Sequence, residues 1–306
     1  MSDRRRSKRW IWAWIAVGTP GVAVVGSLFV VSRRVPYTTV THVTLFDVLA
    51  RPVETIAIRV RLREGFALND APGESVTFRL PGAEPVTVLT DEHGIATAET
   101  RFDDPGDHRV PLLLPARFRE PVPRLPLAYG SPSTGWNIRV FVRTDDAPIA
   151  LCIVEPTLRP SAPWHVEQQV AGPATAPPGS IGTLGRLART RLIVYITLDT
   201  NMRLNATRRW LVENGYPAGP LLGWGGATRT SSFGTAASER IERLNAAWRH
   251  IDFALVGNTA AARTFHAVGI RSYLVGAEAV PDRSLPDSVT TVPNWTALDQ
   301  ALTGTD

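Results

Sequence analysis

Three patterns of hydrophobic and polar residues follow one another along the chain of 306 residues. The first is an uncharged, mostly apolar run at residues 10–31, which as a helix spans about 33 Å, enough for a bilayer core. Five basic residues precede this run in residues 1–9, whereas only Arg33 and Arg34 follow it directly. The positive-inside rule therefore predicts a single transmembrane helix at 10–31, a cytoplasmic basic tail at 1–9 and an extracytoplasmic remainder. The alternative is a cleaved signal peptide, but the run is long for one and no small-x-small cleavage site follows it.

The second pattern is an alternation of apolar and polar residues with a period of two, between residues 35 and 146. Segment 55–62 shows it clearly, because isoleucine, valine and leucine occupy one face and two arginines lie on the other. Further segments of this kind are separated by turn residues: 75–80, 85–90, 95–102, 108–114 and 136–143. This spacing of short strands predicts a β-sandwich over residues 35–146. The Pro-rich stretch 115–132 is expected to be extended.

The third pattern, from residue 148 to 276, alternates short apolar strands with amphipathic helices. This alternation predicts an α/β, Rossmann-like domain with a parallel sheet covered on both faces. Ligands of such sheets bind at the carboxyl ends of the strands, which here means near Glu155, Thr197 and Asn258. Residues 277–306 are expected to form a polar tail that ends in a short helix near 294–302.

Composition narrows the possible functions. The formal net charge of +5 arises largely from the basic residues before residue 10, and acidic and basic side chains nearly balance in the remainder. A nucleic-acid partner is therefore not expected, since such proteins carry a basic face on their folded part. Cys152 is the one cysteine, which excludes an intramolecular disulfide and a multi-thiolate metal site. The chain has a single lysine, Lys8, and the Arg-, Ala-, Pro- and Gly-rich composition suggests a bacterial source.

Several segments of the α/β region resemble the haloacid dehalogenase (HAD) superfamily, in particular its lipin and actin-patch type of phosphatidate phosphatase. The segments that carry the resemblance are Leu192-Ile-Val-Tyr-Ile-Thr197, Asn205-Ala-Thr-Arg-Arg-Trp-Leu211, Gly215-Tyr-Pro-Ala-Gly-Pro220, Phe253-Ala-Leu-Val-Gly-Asn258 and Gly269. The region before them resembles a bacterial immunoglobulin-like domain, through Thr90–Ala98 and Pro105–Val110. Such a β domain is expected to act as a spacer or to pack on its neighbour.

The resemblance implies catalysis by an aspartate nucleophile beside a bound Mg²⁺, with a second aspartate two residues later as general acid. The family's Asp-x-Asp-x-Thr motif aligns with Ile153-Val-Glu-Pro-Thr157. The nucleophile position is then Ile153, which cannot attack phosphorus, the general-acid position is Glu155, and Thr157 matches the motif threonine. A carboxylate at the end of a strand is also expected simply to face solvent, and we favour that interpretation of Glu155.

The other motifs of the family are also incomplete. Thr197 keeps the hydroxyl that would donate to a phosphate, but Leu198-Asp199 follows it where relatives carry Ala-Arg. Asp199 is a further ligand candidate, but we expect it to begin the next helix. No lysine is present to pair with the nucleophile, and Arg240 and Arg243 are expected on a solvated helix face. Asn258 remains as a ligand candidate, but no acidic residue follows it to bind Mg²⁺.

The leading hypothesis is a membrane-anchored pseudoenzyme with no cofactor, in which a phosphatase-like domain binds a protein or lipid partner or acts in assembly. The first alternative is a divergent Mg²⁺-dependent phosphatase of phosphatidate or phosphomonoesters, in which Glu155 would hold the metal. The second is an envelope adhesin or scaffold that binds through the β-sandwich.

Overall fold

The computed structural model describes residues 41–65, 68–119, 135–159, 175–197, 204–223, 235–276 and 285–303. The predicted tail at 1–9 and transmembrane helix at 10–31 lie outside these residues. In the part of the chain that is described, no helix is both long enough and apolar enough to cross a membrane.

The first part of the chain, residues 41–142, forms a β domain built from two sheets. In the first sheet the long strand β3 pairs antiparallel with three others. In the second sheet the order is β2-β9-β8-β5-β6, and its pairs are antiparallel except for β2 with β9. The strands are β1 (Thr41–Leu45), β2 (Val48–Ala50), β3 (Thr55–Glu64), β4 (Asn69–Asp70), β5 (Ser75–Phe78), β6 (Val86–Leu89), β7 (Ile95–Arg101), β8 (Gly106–Leu113) and β9 (Asn137–Val142).

Both sheets of the β domain contribute to one hydrophobic core. Alternate residues of β3, including Ile58, Val60 and Leu62, are fully buried, and Phe78 and Ile138 of the second sheet belong to the same core. Within the Pro-rich stretch, residues Ala116–Arg119 form a helical turn, α1, and bury one phenylalanine, so this part is not extended as expected. Residues 120–134 lie outside the described part.

The second part of the chain, from residue 149, confirms the predicted α/β fold with a parallel sheet. All six strands are parallel, in the order β12-β11-β10-β13-β14-β15. The strands are β10 (Ile149–Ile153), β11 (Leu192–Thr197), β12 (Leu221–Gly223), β13 (Ile251–Val256), β14 (Ser272–Val275) and β15 (Val289–Val292). The helices are α2 (Ser180–Leu187), α3 (Leu204–Glu213), α4 (Thr235–Ala247), α5 (Thr259–Ala267) and α6 (Trp295–Thr303).

The central strand β10 shows why this sequence favours a sheet that is covered on both faces. Every residue of the strand is buried. Ala150 and Cys152 belong to one hydrophobic cluster, whereas Ile149, Leu151 and Ile153 belong to the other. Side chains of a strand point alternately to opposite faces, so an uninterrupted apolar run fills two cores at once.

Residues 289–303 are part of the sheet domain and not a polar tail, and the short helix predicted near 294–302 is α6. The strand β15 pairs with β14 and adds a sixth strand at the edge of the sheet. The final helix α6 buries Trp295 and Leu298 in the same cluster as Leu184 of α2. The α/β domain therefore extends beyond the boundary predicted at residue 276.

The β domain packs closely on the α/β domain. The side-chain amide of Asn205, on α3, donates to the carbonyl of Val43 and accepts from the N–H of Leu45, 3.4 Å away. A side-chain amide thus pairs with the backbone of β1, as a neighbouring strand would, and covers the edge of that sheet. Two phenylalanines of the β domain, Phe46 and Phe141, pack into the two hydrophobic clusters of the α/β domain.

A buried carboxylate lies at the centre of this interface. The Asp47 side chain, between β1 and β2, is 1% exposed and forms ion pairs with Arg139 of β9, at 2.7 Å, and Arg208 of α3, at 3.0 Å. It also accepts the backbone N–H of Leu221, at 2.9 Å. Groups from both domains therefore converge on one carboxylate, which argues for packing on the neighbour and against a spacer role.

The balance of burial and charge favours the ionised form of this carboxylate. Burial raises the pKa of Asp47, but the charges of Arg208 and Arg139 and the hydrogen bonds from Arg139 and Leu221 more than offset it, so the pKa lies below its ordinary value. Burial lowers the pKa of Arg208, against the attraction of Asp47. The lowered pKa of Asp47 favours its charged form, whereas the lowered pKa of Arg208 disfavours its charge. The ordinary pKa of an arginine lies so far above neutral pH that Arg208 stays charged. The cluster is therefore ionic.

Candidate functional site

The topology of the sheet places the predicted ligand residues at a switch point of the strand order. The strand order reverses direction between β10 and β13, the two central strands. In open parallel sheets, ligands bind outside the carboxyl ends of the strands at such a switch point. Glu155 follows β10 and Asn258 follows β13, so both lie at this point, and Thr197 ends the adjacent strand β11.

Glu155 is the centre of a buried polar cluster at this edge. Glu155 is only 4% exposed, so the expectation of a solvent-facing carboxylate was wrong. One carboxylate oxygen accepts a hydrogen bond of 2.9 Å from the Thr197 hydroxyl, which is itself fully buried. The other oxygen pairs with the guanidinium of Arg159, at 2.6 Å from one nitrogen and 2.9 Å from another. Two of the predicted residues, Glu155 and Thr197, are thus in direct contact.

The guanidinium of Arg159 is held by more than one partner. Besides Glu155, it donates to the hydroxyl of Thr207 on α3, at 2.8 Å, and lies 5.6 Å from the ring centroid of Trp210. Its side chain is 14% exposed. Arginine suits such a position because its planar fork can bond a carboxylate and stack on an aromatic ring at once. The cation is therefore fixed against Glu155.

The other two residues singled out in the aligned motif, Ile153 and Thr157, are both buried. Ile153 is fully buried and packs in a hydrophobic cluster on one face of the sheet. Thr157 is 4% exposed, and its hydroxyl has no hydrogen-bond partner among the described residues. The position that would carry a nucleophile therefore contributes to the core.

The turn after β10 lies directly against the end of β13. A Cβ added to Gly257 would lie 2.8 Å from the backbone nitrogen of Thr157 and 2.9 Å from the carbonyl carbon of Pro156. Real Cβ atoms do not approach backbone so closely, and only glycine fits here. The chain's own turn thus fills the space between the ends of the two central strands.

Asn258 has a structural role at the same edge. It is the N-cap of α5, and its side-chain oxygen accepts the N–H of Ala261 at 2.7 Å. Asparagine is among the preferred N-cap residues because it satisfies a free N–H of the first helical turn. The Asn258 side-chain oxygen, which would contact a ligand, therefore already accepts a hydrogen bond from the helix. Asp199, the other candidate beside Thr197, lies outside the described residues.

The two arginines of α4 differ from each other. Arg243 is exposed, as expected for a solvated helix face, but Arg240 is only partly exposed. Burial lowers the pKa of Arg240, and the neighbouring charge of Arg243 lowers it further. The prediction of a fully solvated face therefore does not describe Arg240.

The donor set at this edge does not fit Mg²⁺. Magnesium in proteins needs oxygen ligands with carboxylates among them. Within the described ranges no group of three or more His, Cys, Asp or Glu side chains comes together, and the carboxylate of Glu155 is bound by Arg159 and Thr197. The arginine supplies the positive charge that a metal ion would otherwise bring to this carboxylate.

The sequence analysis selected Glu155 and Thr197 of this cluster but not Arg159. The signal was present, because Arg159 follows Glu155 by four residues, a spacing at which side chains of one helical turn meet. The residues that complete its surroundings, Thr207 and Trp210, lie three residues apart on one face of α3. Only the packing of α3 beside the sheet brings them to Arg159.

No protein family model and no curated protein sequence matches the chain. Among solved structures, the chain is similar to D,D-heptose 1,7-bisphosphate phosphatase from B. bronchiseptica, which was solved in complex with magnesium and phosphate. The TM-score is 0.40 and the identity 14%, and the match covers 52% of this chain and 99% of that one. It is also similar to D,D-heptose 1,7-bisphosphate phosphatase from Burkholderia thailandensis, at a TM-score of 0.35 and 16% identity, covering 51% of this chain and 98% of that one. Likeness at this level does not identify a family or an activity for the chain.

Proposed function

We propose that the chain is a membrane-anchored, extracytoplasmic protein whose α/β domain is a non-catalytic module, similar to lipin-type HAD phosphatases, that acts in binding or assembly. The observation that carries the proposal is the ion pair between Arg159 and Glu155, at 2.6 Å. It neutralises the one carboxylate that the aligned motif retains. A phosphatase of this type needs that group to be available to a metal ion or a leaving group.

Three further features of the site support the same conclusion. The nucleophile position carries the side chain of Ile153, which is fully buried in an apolar cluster. The side chain of Asn258 caps a helix. The turn at Pro156 and Thr157 lies against Gly257, where a ligand would enter the switch point. Each feature serves the stability of the fold, and none contributes a group that could transfer a phosphoryl group.

Phosphate release from the full-length chain tests the absence of catalysis. The substrates are an aryl phosphate and phosphatidate, each with and without Mg²⁺. We expect no release above background, and no saturable Mg²⁺ binding in a calorimetric titration. Glu155→Gln removes the buried charge, and Glu213→Gln, an exposed position on α3, is the matched control. Mg²⁺-dependent release that is lost in Glu155→Gln and kept in Glu213→Gln would refute the proposal and restore the phosphatase alternative.

The membrane anchor is a separate part of the proposal and rests on the uncharged run at residues 10–31. We expect the full-length chain to stay in the membrane pellet after alkaline carbonate extraction, and deletion of residues 10–31 to release it. Recovery of the intact, uncleaved chain in the soluble fraction would contradict the anchor without bearing on catalysis.

The β domain, which resembles immunoglobulin-like domains, is proposed to form one unit with the α/β domain. The interface around Asp47 and Asn205 supports this, because it satisfies buried polar groups from both sides. A partner would then meet a joint surface of the two domains.

A further inference from the structure

A cleft of about 320 Å³ opens at the edge of the sheet opposite to Glu155. Arg191 directly precedes β11 and Arg271 directly precedes β14, so the cleft lies at the amino ends of the parallel strands. It is bordered by the end of α2 and by α6. The lining residues that matter below are Arg186, Arg191, Phe253, Arg271, Tyr273 and Asp299. We name it the arginine cleft.

The charges of the described residues around the arginine cleft do not balance. Arg186 pairs with Asp299 at 2.7 Å, and Arg191 pairs with the carboxylate of Asp252 at 2.6 Å. Arg271 donates its Nε–H to the backbone carbonyl of Asp252 at 2.7 Å, which supplies no charge. Among the described residues, three guanidinium groups thus share two carboxylates. The terminal nitrogens of Arg271 have no hydrogen-bond partner among the described residues, and the residue is exposed.

Two of the cations are held close to one aromatic ring. The guanidinium carbons of Arg191 and Arg271 each lie 5.8 Å from the ring centroid of Phe253. Phe253 is fully buried and makes an edge-to-face contact with Tyr273, at 5.3 Å between centroids, so its position is fixed. A guanidinium within about 6 Å of an aromatic ring is attracted to it. The ring and Asp252 therefore hold like charges near each other, which favours an added anion.

We propose that the arginine cleft binds a small organic anion with a single phosphate or carboxylate group. Arg271 is the principal donor, since its terminal N–H groups bond to no other described residue and have the planar geometry that suits both kinds of oxyanion. Arg186 and Arg191 add charge at the sides. The volume lies at the lower end of the range for small-molecule sites. The proposal does not depend on whether the opposite edge is catalytic.

The test uses the purified full-length chain and saturation-transfer NMR of three probes: phenyl phosphate, benzoate and the neutral benzyl alcohol. We expect at least one of the two anions to bind with a dissociation constant below about 10 mM. The alcohol is expected to bind roughly tenfold more weakly, or not at all, because it makes no charge-assisted hydrogen bond. Tighter binding of phenyl phosphate assigns a phosphate ligand, and tighter binding of benzoate assigns a carboxylate ligand.

Arg271→Gln is the variant that decides the proposal. It removes an exposed guanidinium, and an unchanged thermal melting curve would show that the fold is kept. We expect binding of the anions to weaken roughly tenfold, as the loss of a charge-assisted hydrogen bond predicts. Arg109→Gln, an exposed position on the β domain, removes the same charge elsewhere and is the control. Equal binding of the alcohol, no anion binding to the wild-type chain, or equal loss in both variants would overturn the proposal.

Discussion

Replacement of Asp47 by alanine should destabilise the whole protein. The Asp47 carboxylate is 1% exposed and bridges two guanidinium groups, on Arg139 of the β domain and Arg208 of the α/β domain. The side chains of these arginines are only 21% and 15% exposed. Alanine would leave both cations largely buried without their counter-ion, and the N–H of Leu221 without its acceptor.

The size of the effect follows from this burial. Removing one partner of a buried ion pair costs about 3–5 kcal/mol, because the remaining charge stays desolvated. A typical domain is stable by about 5–15 kcal/mol, so the loss is a large fraction of the total free energy of unfolding. Asp47→Asn should cost a similar amount, since the amide keeps the shape but presents its NH₂ group to donors.

Urea denaturation followed by tryptophan fluorescence measures this loss on the full-length chain. Buried tryptophans at 210 and 248 report on the α/β domain, and Trp136 packs at the edge of the β-domain core. Because the interface joins the domains, we expect both regions to unfold together, with a lower midpoint in Asp47→Ala.

The matched control is Asp103→Ala. Asp103 also pairs with an arginine, Arg101, but the two side chains are 69% and 60% exposed. Exposed pairs of this kind contribute roughly 0–1 kcal/mol. A cost of Asp47→Ala no greater than that of Asp103→Ala would contradict the predicted role of the buried ion pairs. Separate, earlier unfolding of the wild-type β domain would contradict the joint unfolding of the two domains.

Three other predictions concern pH, thiol reactivity and the candidate site. The pKa of Asp47 is lower in the folded than in the unfolded chain, so its contribution to the free energy of unfolding is complete above about pH 4 and is lost as the pH falls through the folded value. Urea midpoints measured at pH 7, 4 and 3 should therefore fall less steeply for Asp47→Ala than for wild type, and parallel curves would contradict this. Burial, with a smaller effect of the negative charge of Glu155, raises the pKa of Cys152, so Ellman's reagent should label it only in denaturant, and rapid labelling of the native chain would refute its burial. Gly257→Ala should cost roughly 2 kcal/mol or more of unfolding free energy because the added Cβ meets backbone atoms, whereas Gly185→Ala, with open space in α2, should be neutral or slightly stabilising. Equal thermal melting of the two variants would contradict the close approach at Gly257.

The long periodic elements could be predicted from the sequence because their patterns are strong. The strand predicted at 55–62 corresponds to β3, and the short helix predicted near 294–302 corresponds to α6. The short strands β1 and β2 lie outside the strand segments that the sequence predicts, since three to five residues hold too little periodicity to distinguish a strand from a loop. β15, beyond a Pro-containing polar segment, was missed for the same reason.

The candidate site was predicted only in part. The rule that parallel strands end at one edge brought Glu155 and Thr197 together, and the structure places them 2.9 Å apart. The same rule says nothing about which partner a carboxylate finds, so the sequence suggested a solvent-facing group. Arg159 occupies the carboxylate because α3 supplies Thr207 and Trp210 to hold the guanidinium in place.

The sequence by itself determined the classes of structure: an apolar run long enough to span a membrane, a β region with period two, and a parallel α/β region that has Ile153 where the motif it resembles has an aspartate. These follow from local periodicity and residue identity. Only the tertiary structure decided how charges are satisfied, because the partners of Asp47 lie 92 and 161 residues away along the chain. Whether a buried charge is neutralised depends on distances of about 3 Å between remote segments, which no local pattern encodes.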